Sequence, residues 1–208
     1  MDNPSDWLYT DKVKDHFMHP RNLLLDEASF QADGRGVIGN IKCGDEMIVL
    51  IKVDEKKGTV ADCKWKTYGC ASAIASTSVL SELAIGKTLD QAYSLSSRDI
   101  ADALGGLPEH KIHCSVLGDK ALRAAIDDYY TRRGMLDKVK REKEHVICQC
   151  LGITDAEIEH AVLEGARNYY QLQERTKIGT VCGKCKGKSL KLLEEYKAKY
   201  FSKQLGRK

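Results

Sequence analysis

Two close pairs of cysteines, Cys148-Gln-Cys150 and Cys182-Gly-Lys-Cys185, place the tightest constraint on how this chain can fold. The segment around them reads as three short helices. Thr154 caps Asp155–Glu164, with Glu157 completing a capping box. Asn168 caps Tyr169–Thr176, and a third helix runs over Gly187–Phe201. A helical unit of about 65 residues has a marginal apolar core, and a centre held by four thiolates would help it fold. Two close pairs are the pattern of a four-coordinate metal or cluster site. The spacing leaves Zn²⁺ and [2Fe–2S] both open. C-x-C is less usual than C-x₂-C in structural zinc sites, which favours a cluster.

The other four of the eight cysteines lie upstream. The chain opens on Met1-Asp-Asn-Pro-Ser-Asp-Trp, polar and acidic and unlike a signal peptide, and no apolar run is long enough to span a bilayer. The expected location is cytoplasmic, where disulfides are rare and cysteines mark metal or redox sites. Residues 1–133 carry 17 Lys/Arg and 20 Asp/Glu; residues 134–208 carry 16 and 10. The basic tail interleaves Lys with Glu, as on a solvated helix face, and is neither dense enough nor aromatic enough for nucleic-acid binding. It can also offset an anionic cluster held between the lysines.

Upstream, Ser5 is the expected N-cap of a helix over Asp6–His19, ended by Pro20. Asp33-Gly-Arg-Gly36 reads as loop. Val37–Cys43, Glu46–Val53 and Thr59–Thr67 read as strands, the last two joined by a turn at Asp54–Gly58. Met47, Val49, Ile51 and Val53 share one face of their strand. Helices follow at Ala71–Ala84, Leu89–Leu95 (capped by Thr88), Ser97–Leu104 and Val116–Arg132. Strands followed by packed helices make an α+β domain. The expected organisation is a domain over 1–133, a charged linker over 134–145 that could extend the previous helix, and a second domain over 146–208.

Cys43, Cys70 and Cys114 stand at element ends. Cys43 begins Cys43-Gly-Asp45 between two strands. Cys70 follows Gly69 at a helix N-terminus, where unpaired N–H groups and the helix dipole favour a thiolate. Cys114 precedes the next long helix, with His113 beside it. Three thiolates with a carboxylate and an imidazole make an incomplete soft site, suited to an iron–sulfur cluster, Zn²⁺ or Cu⁺. An exchangeable fourth ligand would hold a cluster weakly enough to release it. Taken singly, Asp45 stands equally as a turn residue and His113 as a structural histidine. Cys63, beside Trp65 on an apolar strand face, reads as a core cysteine. His16, His19, His110, His145 and His160 have no cysteine neighbours and read as surface residues.

The residues that carry this chemistry also resemble a known family. His19-Pro-Arg-Asn22, Cys43-Gly-Asp45, Thr67-Tyr-Gly-Cys-Ala-Ser-Ala-Ile-Ala-Ser76 and Lys111-Ile-His-Cys-Ser115 are similar to the NifU/IscU-type iron–sulfur cluster scaffold. Cys148-Gln-Cys150, the Thr154-Asp-Ala-Glu-Ile helix and Gly179-Thr-Val-Cys-Gly-Lys-Cys185 resemble the small BFD-like [2Fe–2S] domain that follows the scaffold in NifU. The resemblance implies an IscU-like α+β domain followed by a small helical domain. It implies a non-enzymatic scaffold that takes sulfur from a cysteine desulfurase and iron from a donor. A transient [2Fe–2S] or [4Fe–4S] cluster, the latter on a homodimer, is built and passed to apo iron–sulfur proteins.

On this resemblance Cys43, Cys70 and Cys114 hold the transient cluster. Asp45 is associated with its release, His113 is a candidate fourth ligand and Cys114 the persulfide acceptor. Cys148, Cys150, Cys182 and Cys185 would hold a permanent redox [2Fe–2S] cluster, with zinc an alternative occupant in protein purified without iron. Two departures stand out. Leu107-Pro-Glu-His-Lys111 replaces the Leu-Pro-Pro-Val-Lys chaperone recognition sequence. The sequence stops at Lys208 without the further C-x-x-C domain that NifU proteins often carry, which fits either a shorter relative, with delivery by a separate carrier protein, or a truncated chain. The rival readings are a structural zinc protein, with Asp45, Cys70, His113 and Cys114 as ligands, and a ferredoxin-like electron carrier. A redox enzyme would need a second cofactor, and neither a dinucleotide fingerprint nor a P-loop occurs.

Overall fold

The computed structural model describes residues 9–40, 45–140 and 144–201. The chain divides between Arg141 and Glu142 into two compact units. The first has the expected α+β architecture. Strands β1 (Gly34–Asn40), β2 (Asp45–Asp54) and β3 (Thr59–Thr67) form an antiparallel sheet in the order β1-β2-β3. Alternation along β2 places Met47, Val49 and Ile51 in the main core, with Cys63 and Trp65 of β3 beside them. Ile48 and Leu50 face the other way and pack under Leu24. Both faces of the central strand are therefore covered.

Helices α1 (Asp11–Met18), α2 (Ala71–Ala84), α3 (Leu89–Tyr93), α4 (Ser97–Ala103) and α5 (Ile112–Arg132) complete this unit. Gly34 and Gly36 lie within β1 rather than in a loop. A side chain on either would overlap the carbonyl oxygen of Ala125 or Ala121, so these glycines let α5 pack directly on the strand. The first described helix begins at Asp11, not Asp6, and Ser5 lies outside the described residues. Thr10 caps it, accepting from the Val13 amide at 3.1 Å and donating to the Leu104 carbonyl at 2.5 Å.

His16 departs from the surface reading. It is buried between α1 and α2, with Nδ1 2.8 Å from Ser78 Oγ and Nε2 3.8 Å from Glu82. The hydroxyl of Ser78 also accepts the Arg21 amide at 2.9 Å. Ser78 Oγ thus bridges the imidazole and the Arg21 amide.

Residues 134–145 were expected to form a linker or extend the helix. They do neither through residue 140. A 3-10 turn at Leu136–Lys138 leads to Lys140, whose amide donates to buried Asp127 at 3.0 Å and whose ammonium meets Asp90 at 2.8 Å. Met135 and Val139 pack against the main core.

The second unit holds a short antiparallel pair that periodicity did not reveal, β4 (Val146–Cys148) and β5 (Ile153–Thr154), then α6 (Asp155–Leu163), α7 (Tyr169–Thr176) and α8 (Lys186–Phe201). The Thr154–Glu157 capping box and the Asn168 cap are present. The core consists of Ile158, Ala161, Val162, Ala166, Leu172, Ile178 and Leu193 together with Cys148 and Cys185. Two of the paired cysteines are thus core residues.

Candidate metal centres

In the first unit, the turn after β3 delivers Cys70 to the N-cap of α2. Cys70 Sγ lies 3.6 Å from Cys114 Sγ. The Cys114 hydrogen bond is the main cause that lowers the Cys70 pKa to about 4; the Ala73 and Ser72 amides and the Lys111 charge act in the same direction. Cys70 is partly exposed and Cys114 is buried.

The long helix starts four residues earlier than the sequence suggested, at Ile112, so His113 and Cys114 lie inside its first turn. The 3-10 turn at Glu109–Lys111 feeds directly into it. His113 Nδ1 is buried and has no hydrogen-bond partner. A buried imidazole nitrogen without a donor or acceptor is an exception among buried polar groups. Cys43 lies outside the described residues. Asp45 opens β2, and its side chain lies outside the described set. The structure therefore joins Cys70 with Cys114 in space, while His113 precedes Cys114 along α5. Cys63 is buried in the core, where desolvation raises its pKa to about 12, as expected of a packing residue.

In the second unit the thiols pair across the two motifs. Cys150 donates to Cys182 at 3.4 Å, and Cys148 is hydrogen-bonded to Cys185. Each pair holds one group favoured as thiolate. The Gly179 amide, then the Leu151 amide and the Cys185 hydrogen bond, lower the pKa of Cys148; the Lys184 amide and the Cys150 hydrogen bond lower that of Cys182. The Cys182 hydrogen bond raises the pKa of Cys150, and burial raises that of Cys185. Loading a metal centre here would release protons from Cys150 and Cys185.

The backbone is shaped to aim those amides. Gly179 has φ 73° and Gly183 φ 70°. A side chain at Gly179 would collide with the Tyr169 hydroxyl and lie 3.7 Å from Cys185 Sγ. Among the described residues no group of three or more His, Cys, Asp or Glu is arranged to hold a single metal ion. Four thiols in two pairs, with peptide N–H groups directed at the sulfurs, fit a dinuclear [2Fe–2S] group. Periodicity could not have located these amides, because they arise from turn geometry and not from side-chain identity. No described helix is long and apolar enough to cross a membrane.

Comparison with known proteins agrees with this geometry. The NifU-like N terminal domain family matches residues 8–135, and the BFD-like [2Fe-2S] binding domain matches residues 146–195. Nitrogen fixation protein NifU of Azospirillum brasilense is 42% identical over 197 residues, covering 93% of this chain and 61% of that protein. NifU of Nostoc sp. is 38% identical over 197 residues, covering 92% and 65%. Iron-sulfur cluster assembly scaffold protein IscU 1 of Archaeoglobus fulgidus is 47% identical over 140 residues, covering 66% of this chain and 88% of that protein. The chain thus spans 61% to 65% of the length of these two NifU relatives. With both domain matches in order and nearly the whole chain aligned, the protein belongs to the NifU-like family.

Proposed function

We propose that the protein is a scaffold for iron–sulfur cluster assembly, acting in the cytoplasm, and that its second unit carries a resident [2Fe–2S] redox centre. The observation that carries the reading is the Cys70–Cys114 pair, 3.6 Å apart with a thiolate stabilised at the helix N-terminus. Such a thiolate is a competent sulfur acceptor and iron ligand.

Cys43, Cys70 and Cys114 hold the transient cluster, which is the cargo. His113 supplies a fourth donor, and Asp45 an oxygen ligand poorly matched to iron–sulfide. Cys114, the assigned persulfide carrier, is buried, so sulfur reaches it by way of Cys70. The Cys114 sulfur, giving up its proton to the Cys70 sulfur that departs, attacks the outer sulfur of a Cys70 persulfide; the Cys114 persulfide forms and Cys70 leaves as the thiol. A cysteine desulfurase supplies the sulfur, a donor supplies iron, and apo iron–sulfur proteins receive the product. A homodimer would let two sites share a larger cluster.

Cys148, Cys150, Cys182 and Cys185 hold the resident group, which supplies one-electron redox chemistry when bound. Four thiolates set partly in the core retain it, whereas the first site lacks a complete thiolate set.

The test uses the full chain purified without oxygen, with iron and sulfide contents and visible spectra taken before and after a chelator challenge. The reading expects a chelator-resistant [2Fe–2S] centre abolished by Cys150→Ser. It also expects a second, labile cluster, formed with desulfurase, cysteine and ferrous iron and abolished by Cys70→Ser. A colourless protein with stoichiometric zinc and no sulfide would instead identify a structural zinc protein.

A further inference from the structure

The second site is lopsided. Cys148 and Cys185 are buried in the helical core, whereas Cys150 and Cys182 are exposed. The exposed pair is flanked by exposed apolar side chains, Leu151 at 40% and Val181 at 66%. Lys184 is exposed between the two ligands of the C-x₂-C motif. An electron entering or leaving has its shortest route through this edge.

The charge along the segment that carries the C-x₂-C motif is one-sided. From Arg175 to Leu193 the chain carries six Lys/Arg and no Asp or Glu. The first turn of α8 has no acidic residue, although the helix dipole favours acids there. Lys186 and Lys188 hold that position with the opposite sign, and both are exposed. Among the described residues Lys184 and Lys188 have no ion-pair partner, and Lys186 contacts only the Tyr169 ring face, at 5.3 Å. These charges work against the local helix and are not used in internal pairing. Lys186 and Lys188 stand exposed, one and three residues beyond Cys185.

We propose that this face docks an acidic electron-carrier protein, one whose own redox centre is rimmed by Asp and Glu. Leu151 and Val181 exclude water from the contact, and Lys184, Lys186 and Lys188 steer the approach. One electron passes from the reduced carrier to the oxidised [2Fe–2S] group of the second unit; no bond is made or broken and no proton moves. The proposal rests on the reading of that site as a resident cluster.

The experiment uses the full chain with its second site loaded, confirmed by iron, sulfide and visible spectrum. Stopped-flow mixing with a reduced, acidic plant-type ferredoxin measures the second-order rate constant. The constant is expected to fall at least tenfold between about 20 mM and about 300 mM salt, as screening removes the steering. Lys186→Glu/Lys188→Glu should lower it at least tenfold at low salt with iron, sulfide and spectrum unchanged, since acids suit the start of α8. Transfer to basic cytochrome c should show the reverse salt trend.

A rate insensitive to salt in the unsubstituted protein would overturn the proposal whether or not the variant folds. A shifted reduction potential with an unchanged salt slope would assign the lysines to balancing the cluster's own charge, and so would also overturn it. So would a concentration-dependent dimer abolished by the double variant, which would give the face to a second copy. Absence of iron and sulfide from the second site, seen before any rate is measured, would remove the underlying reading itself.

Discussion

Cys70 and Cys114 face each other at 3.6 Å, one at the N-cap of α2 and the other in the first turn of α5. A buried thiol donating to a partly exposed thiolate makes Cys70 the reactive member. Its pKa is lowered to about 4, so its thiolate form persists above that pH. In the apo protein, alkylation of Cys70 should stay nearly constant from pH 8 down to about pH 5, where an ordinary thiol loses reactivity. Cys114→Ala removes the largest cause and should move the inflection upward. Peptide mapping of pH-dependent labelling checks both; an inflection near the ordinary thiol value in the unsubstituted protein would refute the geometry.

Asp45 is assigned to release. Asp45→Ala should make the first-site cluster persist, slowing transfer to an apo-ferredoxin by about tenfold, or roughly 1.4 kcal/mol in activation free energy. Transfer at an unchanged rate would remove that role from Asp45.

Close packing of α5 on β1 depends on two glycines. Gly36→Ala forces a side chain into the Ala121 carbonyl and should cost about 3 kcal/mol, the upper range for overpacking. Gly39→Ala, with nothing within 4 Å of the added carbon, should stay within about 0.5 kcal/mol. Denaturant melts of the two variants give the contrast. Equal stabilities would contradict the α5–β1 contact.

His16 makes the first unit sensitive to acid. Burial, and then the Arg21 charge, lower its pKa below the ordinary value, although Glu82 and Asp15 oppose this. The unfolded chain therefore binds its proton more readily than the folded chain. The contribution of neutral His16 is fully present above about pH 6.5 and declines as pH falls toward the lowered folded value. His16→Ala should remove this dependence and cost about 1–3 kcal/mol at neutral pH, because the Ser78 hydroxyl loses its imidazole partner and keeps only the Arg21 amide. Stability measured from pH 5 to 8 tests the sign; a protein that becomes more stable on acidification through this window would exclude it.

Residues 134–140 are fastened to the first unit. A fragment ending at Arg133 should be less stable than one ending at Arg141 by about 1–3 kcal/mol, because Asp127 loses the Lys140 amide. Loss of Met135 and Val139 from the core surface adds to this. Thermal melts of the two fragments decide; coincident melts would make the segment a true linker.

Much of this protein was legible in the sequence, because local rules suffice where an interaction partner is a few residues away. The bounds of α2, the Thr154–Glu157 capping box and the Asn168 cap depend on short-range propensity and capping, and they appear where the sequence placed them. The α+β order and the paired motifs at Cys148–Cys150 and Cys182–Cys185 were likewise apparent from periodicity and spacing. Tertiary structure decided what depends on distant partners. Gly34-Arg-Gly36 resembled a loop until α5 needed close approach, and His16 resembled a surface residue until α2 brought Ser78 to it. Lys140 seemed to lie in a linker until Asp127 and Asp90 captured it. The sequence named Cys70 and Cys114 as candidates, but 44 positions separate them, and only packing of α2 on α5 makes one the hydrogen-bond donor of the other.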